Sequence, residues 1–228
     1  MKTEKLQEMA RILDAARLNA KAITQFSAEL EEFKREDAYT IQEMGIATRE
    51  KAGEKVIGLK MGLTSEKKRQ QMNLDAPLYG VLTDKMMVDK SYSIQGQIHP
   101  KIEPEIVFYI NKDLKGQVSR DQVLNACEAI GPALEILDSR YEGFKYFSME
   151  DVIADNSSSS HYVLGEKITD FRELDLKSLK MEMKVNGETA EVGVSSDISG
   201  DPVVSVIQLA ELLALRDQYI PAGSFVLA

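Results

Sequence analysis

Residues 99–110 read HPKIEPEIVFYI, and this stretch decides which fold and which site the sequence can form. From Ile102 onwards it is an apolar run interrupted by Glu103, Pro104 and Glu105, which predicts a β-strand. Side chains two residues apart in a strand point to the same face, so the two carboxylates should lie side by side. Neighbouring like charges cost free energy unless a cation lies between them. A solvated strand face is the alternative, and the spacing alone leaves both open.

A third carboxylate, Glu135, lies in the apolar run of residues 133–137, where an unpaired charge is expensive and needs a partner. A metal ion shared with Glu103 and Glu105 would supply that partner. Carboxylate oxygens are hard ligands, so the set favours Mg²⁺ or Mn²⁺ over zinc. Pro104 cannot donate to a sheet ladder, which predicts an edge strand or a β-bulge at this point.

Lys60 is the candidate for proton chemistry. It follows the apolar run of residues 56–59 and lies between Gly58 and Gly62, which allow close approach of the backbone. A partly buried lysine can serve as an acid, a base or an anion clamp. A lone lysine is more often a surface residue, so this signal is weak by itself.

Other polar residues are candidate donors to an anionic substrate. Each also has a structural explanation, since Asp138 and Arg140 can form a surface ion pair and residues 155–160 can form a polar turn. The two histidines, His99 and His161, have no partners at metal-ligand spacing and are better explained as structural. The candidate substrate-binding residues are Lys101, Arg140, Asn156, Ser160 and His161.

Apolar residues spaced three and four apart predict several helices. One of these helices begins with a capping box at Ser119. Gly131 and Pro132 are expected to end it. Asp201 and Pro202 have the chemistry of a helix start and begin another. The N-terminal stripes are Met9, Ile12, Leu13 and Ala16, then Ile23, Phe26, Leu30 and Phe33, then Ala38, Ile41 and Met44 with Asp37 as their cap.

Short apolar or alternating runs predict strands between these helices. Residues 179–185 alternate strictly and Asn186-Gly187 follow, which predicts a hairpin. Many short strands with few crossover helices predict an α+β fold with a mixed, largely antiparallel, rolled sheet. We expect an N-terminal helical region at residues 1–54 and a catalytic β-roll at residues 55–228. The other predicted strands cover residues 56–59, 78–87, 102–110, 133–137 and 225–228.

Composition narrows the class of function. A net charge of −9 on 228 residues argues against a nucleic-acid surface, which needs clustered lysine and arginine. The single cysteine, Cys127, lies in a helical pattern and is better explained as a small buried side chain than as a reactive thiol. No apolar signal core and no run of about 20 apolar residues is present. We therefore expect a cytoplasmic protein that binds neither nucleic acid nor membrane.

Four motifs together resemble the hydratase/decarboxylase family of aromatic meta-cleavage pathways, within the fumarylacetoacetate hydrolase superfamily. The resemblance covers most of the chain, and its specificity comes from the order of all four motifs. It implies a Mg²⁺ or Mn²⁺ site at Glu103, Glu105 and Glu135, with Lys60 in the active site. The motifs are GLKMGLTS at residues 58–65, HPKIEPEI at 99–106, PALEILDSRY at 132–141 and VIADNSSS at 152–159.

The second and third motifs are more similar to the decarboxylase branch of the family. This implies release of CO₂ from 2-oxo-3-hexenedioate (4-oxalocrotonate) to give 2-hydroxypenta-2,4-dienoate. The alternatives are a 2-oxopent-4-enoate hydratase, an acylpyruvate-type hydrolase and a non-catalytic metal-binding assembly partner. The expected partners are a small 2-oxo dicarboxylic acid, further copies of the chain and a related hydratase.

Two features depart from the family pattern. Relatives usually have Gly-His-Pro or Gly-Asn-Pro before the last long helix, whereas this chain has Gly200-Asp201-Pro202. Relatives also continue with more sheet beyond the strand at residues 225–228. We therefore expect the C-terminus of this sequence to be incomplete.

Overall fold

The fold is given by a computed structural model, which describes residues 1–71, 74, 76–89, 91–144 and 148–228, with the backbone only at 67, 68 and 71. The helices are α1 (Thr3–Asn19), α2 (Arg35–Lys51), α3 (Glu66–Gln71), α4 (Arg120–Ala126), α5 (Met149–Ala154) and α6 (Pro202–Ala214). The strands are β1 (Val56–Gly62), β2 (Leu78–Thr83), β3 (Pro100–Ile110), β4 (Cys127–Asp138), β5 (Ser159–Leu164), β6 (Lys180–Val185), β7 (Glu188–Val194) and β8 (Phe225–Leu227).

Six strands form one mixed sheet in the order β2-β1-β8-β3-β4-β5, and β6 and β7 form a separate two-stranded sheet. Strand β8 pairs parallel with β1 and antiparallel with β3. The predicted α+β class with a mixed sheet is therefore confirmed. Strand β3 lies between β8 and β4, but its pairs with β8 run only from Val107 to Tyr109, so the prediction of an edge or a β-bulge at Pro104 is not tested by this pairing.

Contacts between Cα atoms divide the chain into two compact units, and the first comprises Met1–Val56, Gly80–Glu103 and Glu135–Val163. In it, α1 packs on α2 and α2 packs on α5, because each helix presents an apolar stripe. The predicted start of α2 is wrong by three residues. Lys34 is the N-cap, and Asp37 lies in the first turn, where its carboxylate accepts a hydrogen bond from the amino group of Met1 at 2.8 Å.

The predicted helix through Ile23 and Phe33 is also wrong. Residues 26–28 form a single 3-10 turn, and Ile23 forms a bridge with Tyr141. The Ile23 amide donates to the carbonyl of Arg140 at 2.9 Å, and the Glu142 amide donates to the carbonyl of Ile23 at 2.9 Å. Because these bonds link residues far apart in the sequence, helical spacing cannot reveal them.

The second unit comprises Ile57–Tyr79, Pro104–Leu134 and Leu164–Ala228. Helix α4 packs on α6 there. The Asp201 side chain caps α6 by accepting from the Val203 amide at 3.0 Å, with Pro202 in the first turn, as predicted. The β6–β7 hairpin is confirmed, and both turn residues, Asn186 and Gly187, have positive φ. Within the described residues, no helix is both long and apolar enough for a membrane span.

The capping box at Ser119 is confirmed, but the predicted end of its helix is wrong. The Ser119 hydroxyl accepts from the Gln122 amide, and α4 ends at Ala126. Gly131 and Pro132 lie inside β4 instead, because Ile130 exchanges two backbone hydrogen bonds with Ile168, at 2.7 and 3.1 Å. Cys127 is buried as predicted, although it lies in a strand.

Candidate metal centre

Strands β3 and β4 bring three carboxylates together. One oxygen each from Glu103, Glu105 and Glu135 lies within 4.8 Å of the other two. Glu103 and Glu105 are half-buried, and Glu135 has 0% exposure. Among the described residues, no other group of three His, Cys, Asp or Glu side chains comes as close together. Three anions at this distance repel one another strongly in a partly buried place, so the arrangement favours a bound cation.

Lys60 lies on the same face of the sheet as the β3 carboxylates. It is 3% exposed, and its Cα pairs with that of Leu227 in β8, which pairs in turn with Val107 in β3. Residues paired across neighbouring strands share a face, and residues two apart along a strand do so as well. Lys60, Leu227, Val107 and Glu105 therefore face the same side.

The hydroxyl of Ser159 donates a hydrogen bond to Oε1 of Glu135 at 3.1 Å, at the start of β5. Both side chains are buried. Sequence reasoning missed Ser159, because a serine that follows three other polar residues does not differ locally from its neighbours. The bond joins residues 24 positions apart, which only the pairing of strands reveals.

Arg140 is buried and bound to Asp155, so the predicted surface ion pair of Asp138 with Arg140 is wrong. The Arg140 guanidinium contacts the Asp155 side chain and its carbonyl, and Nη1 donates to the carbonyls of Asp138 at 2.7 Å and Ser159 at 3.1 Å. The Asp138 carboxylate instead accepts from the amides of Ile98 at 2.9 Å and His99 at 2.5 Å. The arginine thus joins the 155–159 turn to the end of β4.

Asn156 is held by the main chain of β2. Its side chain donates to the Val81 carbonyl at 2.9 Å and accepts from the Val81 amide at 2.8 Å. Asn156, Ser157 and Ser158 all have positive φ, between 51° and 56°. Consecutive non-glycine residues in this conformation are strained and persist only where the surroundings hold them.

Ser160 and His161 belong to a second hydrogen-bonded group. The Ser160 hydroxyl donates to Oε1 of Gln97 at 3.1 Å and lies 2.7 Å from Nδ1 of His161. Gln97 in turn donates to the Tyr92 hydroxyl, and the Tyr92 and His161 rings lie 4.1 Å apart. Burial lowers the pKa of His161 and raises that of Tyr92. Both shifts favour the neutral form of these side chains at pH 7.

Lys101 is exposed, and its ammonium lies 3.8 Å from the centre of the Phe144 ring. A lysine above an aromatic face gains a cation–π attraction of about 0.5–1 kcal/mol at exposed sites. The five predicted substrate-binding residues thus differ in their surroundings. Ser160 and His161 contact each other, Arg140 and Asn156 hold the 155–159 turn, and Lys101 contacts an aromatic ring.

Comparisons with known proteins show which family the chain resembles. The family model described as fumarylacetoacetate (FAA) hydrolase C-terminal matches residues 48–225. The chain is 38% identical to a 4-oxalocrotonate decarboxylase of Pseudomonas putida over 227 residues, which cover 98% of this chain and 86% of that protein. It is 36% identical to a 2-hydroxyhexa-2,4-dienoate hydratase of Comamonas testosteroni, with 96% and 84% covered.

A solved structure is similar over almost the whole chain. It is 4-oxalocrotonate decarboxylase from Pseudomonas putida G7, complexed with magnesium and adipate. The TM-score is 0.95 at 36% sequence identity, and the match covers 99% of this chain and 87% of that one. The family model and these relatives agree with the resemblance that the four sequence motifs carry. This chain belongs to the fumarylacetoacetate hydrolase family.

Proposed function

We propose that this protein is a divalent-metal-dependent carboxy-lyase that converts 2-oxo-3-hexenedioate (4-oxalocrotonate) to 2-hydroxypenta-2,4-dienoate and CO₂. The observation that carries the proposal is the convergence of Glu103, Glu105 and Glu135 within 4.8 Å. Relatives named for this decarboxylation are 38–40% identical to the chain over nearly its whole length.

The donor chemistry fits Mg²⁺ or Mn²⁺. All three donors are carboxylate oxygens, which are hard ligands that these ions prefer and that zinc sites rarely use alone. A fully buried carboxylate such as that of Glu135 is expensive unless its charge is compensated, and a cation bound beside the hydrogen bond from Ser159 would contribute to that compensation. We assign Glu103, Glu105 and Glu135 as the residues that hold the ion.

The reaction breaks the bond between the distal carboxylate and the carbon chain. The bonding electrons delocalise through the alkene to the 2-oxo oxygen, and a proton adds there to give the dienol. When bound, the cation supplies Lewis-acid stabilisation of the negative charge on that oxygen. We assign Lys60 to hold or move the proton at the 2-oxo oxygen, because its side chain is buried on the face that carries Glu105.

The distal carboxylate needs its own recognition. Ser160 and His161 are our first choice, since they are half-buried and already joined to each other. Lys101 is a second choice, as an exposed cation at the start of β3. Arg140 and Asn156 are assigned to hold the 155–159 turn, because each contacts main-chain atoms of its neighbours.

Water addition is the alternative reaction, since a hydratase is nearly as similar to the chain as the decarboxylases are. The deciding experiment incubates the purified protein and Mg²⁺ or Mn²⁺ with 2-oxo-3-hexenedioate, and separately with 2-hydroxypenta-2,4-dienoate. We expect CO₂ from the diacid, loss of that activity after chelation and its recovery when metal is restored. Water addition to the dienoate without CO₂ from the diacid would assign the chain to the hydratases.

The compartment and the partners of the protein belong to the same proposal. A lone buried cysteine is typical of a reducing compartment, so we place the protein in the cytoplasm. We also propose that it forms homo-oligomers and associates with a related hydratase, because its product is a reactive dienol that such an enzyme consumes. Size-exclusion chromatography of the chain, alone and mixed with the hydratase, tests both associations.

A further inference from the structure

Ser159 is fixed by contacts on several sides. Its hydroxyl donates to Glu135 at 3.1 Å, and its carbonyl accepts from Nη1 of Arg140 at 3.1 Å. Arg140 is held by Asp155, whose carboxylate accepts from the Arg140 amide at 3.2 Å and contacts the guanidinium. All four residues are at most 5% exposed. The serine is thus attached to the interior by both its side chain and its backbone.

The strained turn before Ser159 determines where its hydroxyl lies. Asn156, at the start of the positive-φ residues, is bound to Val81 through both of its amide atoms. Gly80 provides the space, because a Cβ at this position would lie 2.8 Å from Oγ of Ser159 and 2.9 Å from the carbonyl oxygen of Asn156. A larger residue at position 80 would therefore collide with the turn at the hydroxyl itself.

We propose that Ser159 is a positioning residue of the metal centre, which holds the Glu135 carboxylate in one orientation through the Oγ–Oε1 hydrogen bond. This inference rests on the proposed function, since it assumes that Glu135 binds the cation. A carboxylate with one oxygen fixed loses less conformational freedom when a cation binds, so the cation binds more tightly. The contacts of Arg140 with the Ser159 carbonyl and with Asp155 restrict the movement of the serine, so its hydroxyl is held in one place.

The test measures Mn²⁺ affinity of the full chain without substrate, by electron paramagnetic resonance (EPR) titration. We expect Ser159→Ala to weaken Mn²⁺ binding by about 10- to 100-fold, as loss of a hydrogen bond to a metal ligand typically does. The EPR line shape of bound Mn²⁺ should also change, which a general loss of stability would not produce. Ser195→Ala is the matched control, because it removes the hydroxyl of another buried serine, which accepts a hydrogen bond from the Leu179 amide at 2.9 Å, and we expect its Mn²⁺ affinity to stay at the wild-type value.

The pair Ser159→Thr and Ser159→Val adds a comparison at nearly equal shape, in which the two variants differ by one hydroxyl. Threonine should retain most of the affinity and valine should lose it, and this pair replaces the alanine variant if alanine fails to fold by circular dichroism. Equal Mn²⁺ affinity and line shape in wild type and the hydroxyl-free variants would overturn the positioning role. Absence of Mn²⁺ binding to the wild type would instead contradict the proposed metal site itself.

Discussion

Arg140 and Asp155 form an ion pair in the protein interior, where their side chains are 6% and 0% exposed. Two buried charges stabilise a fold only when each compensates the other and further hydrogen bonds satisfy the remaining atoms. Here the guanidinium also contacts the carbonyls of Asp138 and Ser159, and the carboxylate accepts from the Ser158 hydroxyl at 3.2 Å. The pair therefore holds a strained turn in place beside Glu135, the proposed metal ligand.

Breaking this pair should destabilise the protein strongly. Asp155→Ala leaves the Arg140 charge buried without its partner, which typically lowers the free energy of unfolding by about 3–5 kcal/mol. Urea unfolding followed by circular dichroism measures the change. The control is Glu128→Ala, which breaks the exposed pair with Lys167 at 2.8 Å and should cost no more than about 1 kcal/mol. Equal losses in the two variants would contradict the structural role of Asp155.

Removing the Lys60 amine should separate turnover from metal binding. We expect Lys60→Ala to lower kcat by about 10²- to 10⁴-fold, the usual contribution of a positioned acid–base group. Its Mn²⁺ affinity should stay within a few-fold of wild type, because lysine is not a ligand. Steady-state CO₂ release and Mn²⁺ titration measure the two effects. Lys55→Ala, at an exposed lysine that precedes β1, is the control, and near-normal turnover of Lys60→Ala would refute the assignment.

Local periodicity predicted the parts of this molecule that depend on neighbours in sequence. Glu103 and Glu105 share a face because strand side chains alternate, and Glu135 stood out as a charge in an apolar run. Asp201 and the Asn186-Gly187 turn were recognisable for the same reason, since caps and turns are formed by adjacent residues. These signals sufficed for the α+β class, and they indicated the carboxylate set while leaving a solvated strand face as the alternative.

Features that depend on distant pairing could not be predicted in this way. Ile23 has helical spacing, yet its backbone bonds go to Arg140 and Glu142. The bond from Ser159 to Glu135 likewise exists only once β5 and β4 lie in one sheet. In both cases the partner is more than 20 residues away, beyond the reach of any local pattern.

The half-buried His161 should make stability sensitive to mild acid. Burial lowers its pKa below the ordinary 6.5, and the charges of Arg49 and Arg17 act in the same direction. The unfolded chain then binds a proton at His161 more readily than the folded protein does. The stability that comes from burying the neutral His161 ring is therefore fully present above pH 6.5, and it is lost as the pH falls through the lower folded-state pKa. We expect wild type to have a higher urea midpoint than His161→Gln at pH 8, and we expect this difference to become smaller as the pH is lowered to 5. A constant difference across that range would disprove the effect.

Neutralising one carboxylate of the proposed metal centre should weaken metal binding and raise the Tm of the metal-free protein. In chelated solution, Glu135→Gln removes a buried negative charge that lies within 4.8 Å of two others, so we expect its Tm to exceed that of wild type. Added Mg²⁺ should raise the Tm of wild type, because a ligand that binds only the folded state stabilises it, and should leave the variant unchanged. Differential scanning calorimetry of both proteins, with Glu128→Gln as the exposed control, measures these shifts. A variant that is less stable than wild type after chelation would contradict the expected repulsion among the three carboxylates, and equal stabilisation of both proteins by Mg²⁺ would contradict the assignment of Glu135 as a ligand.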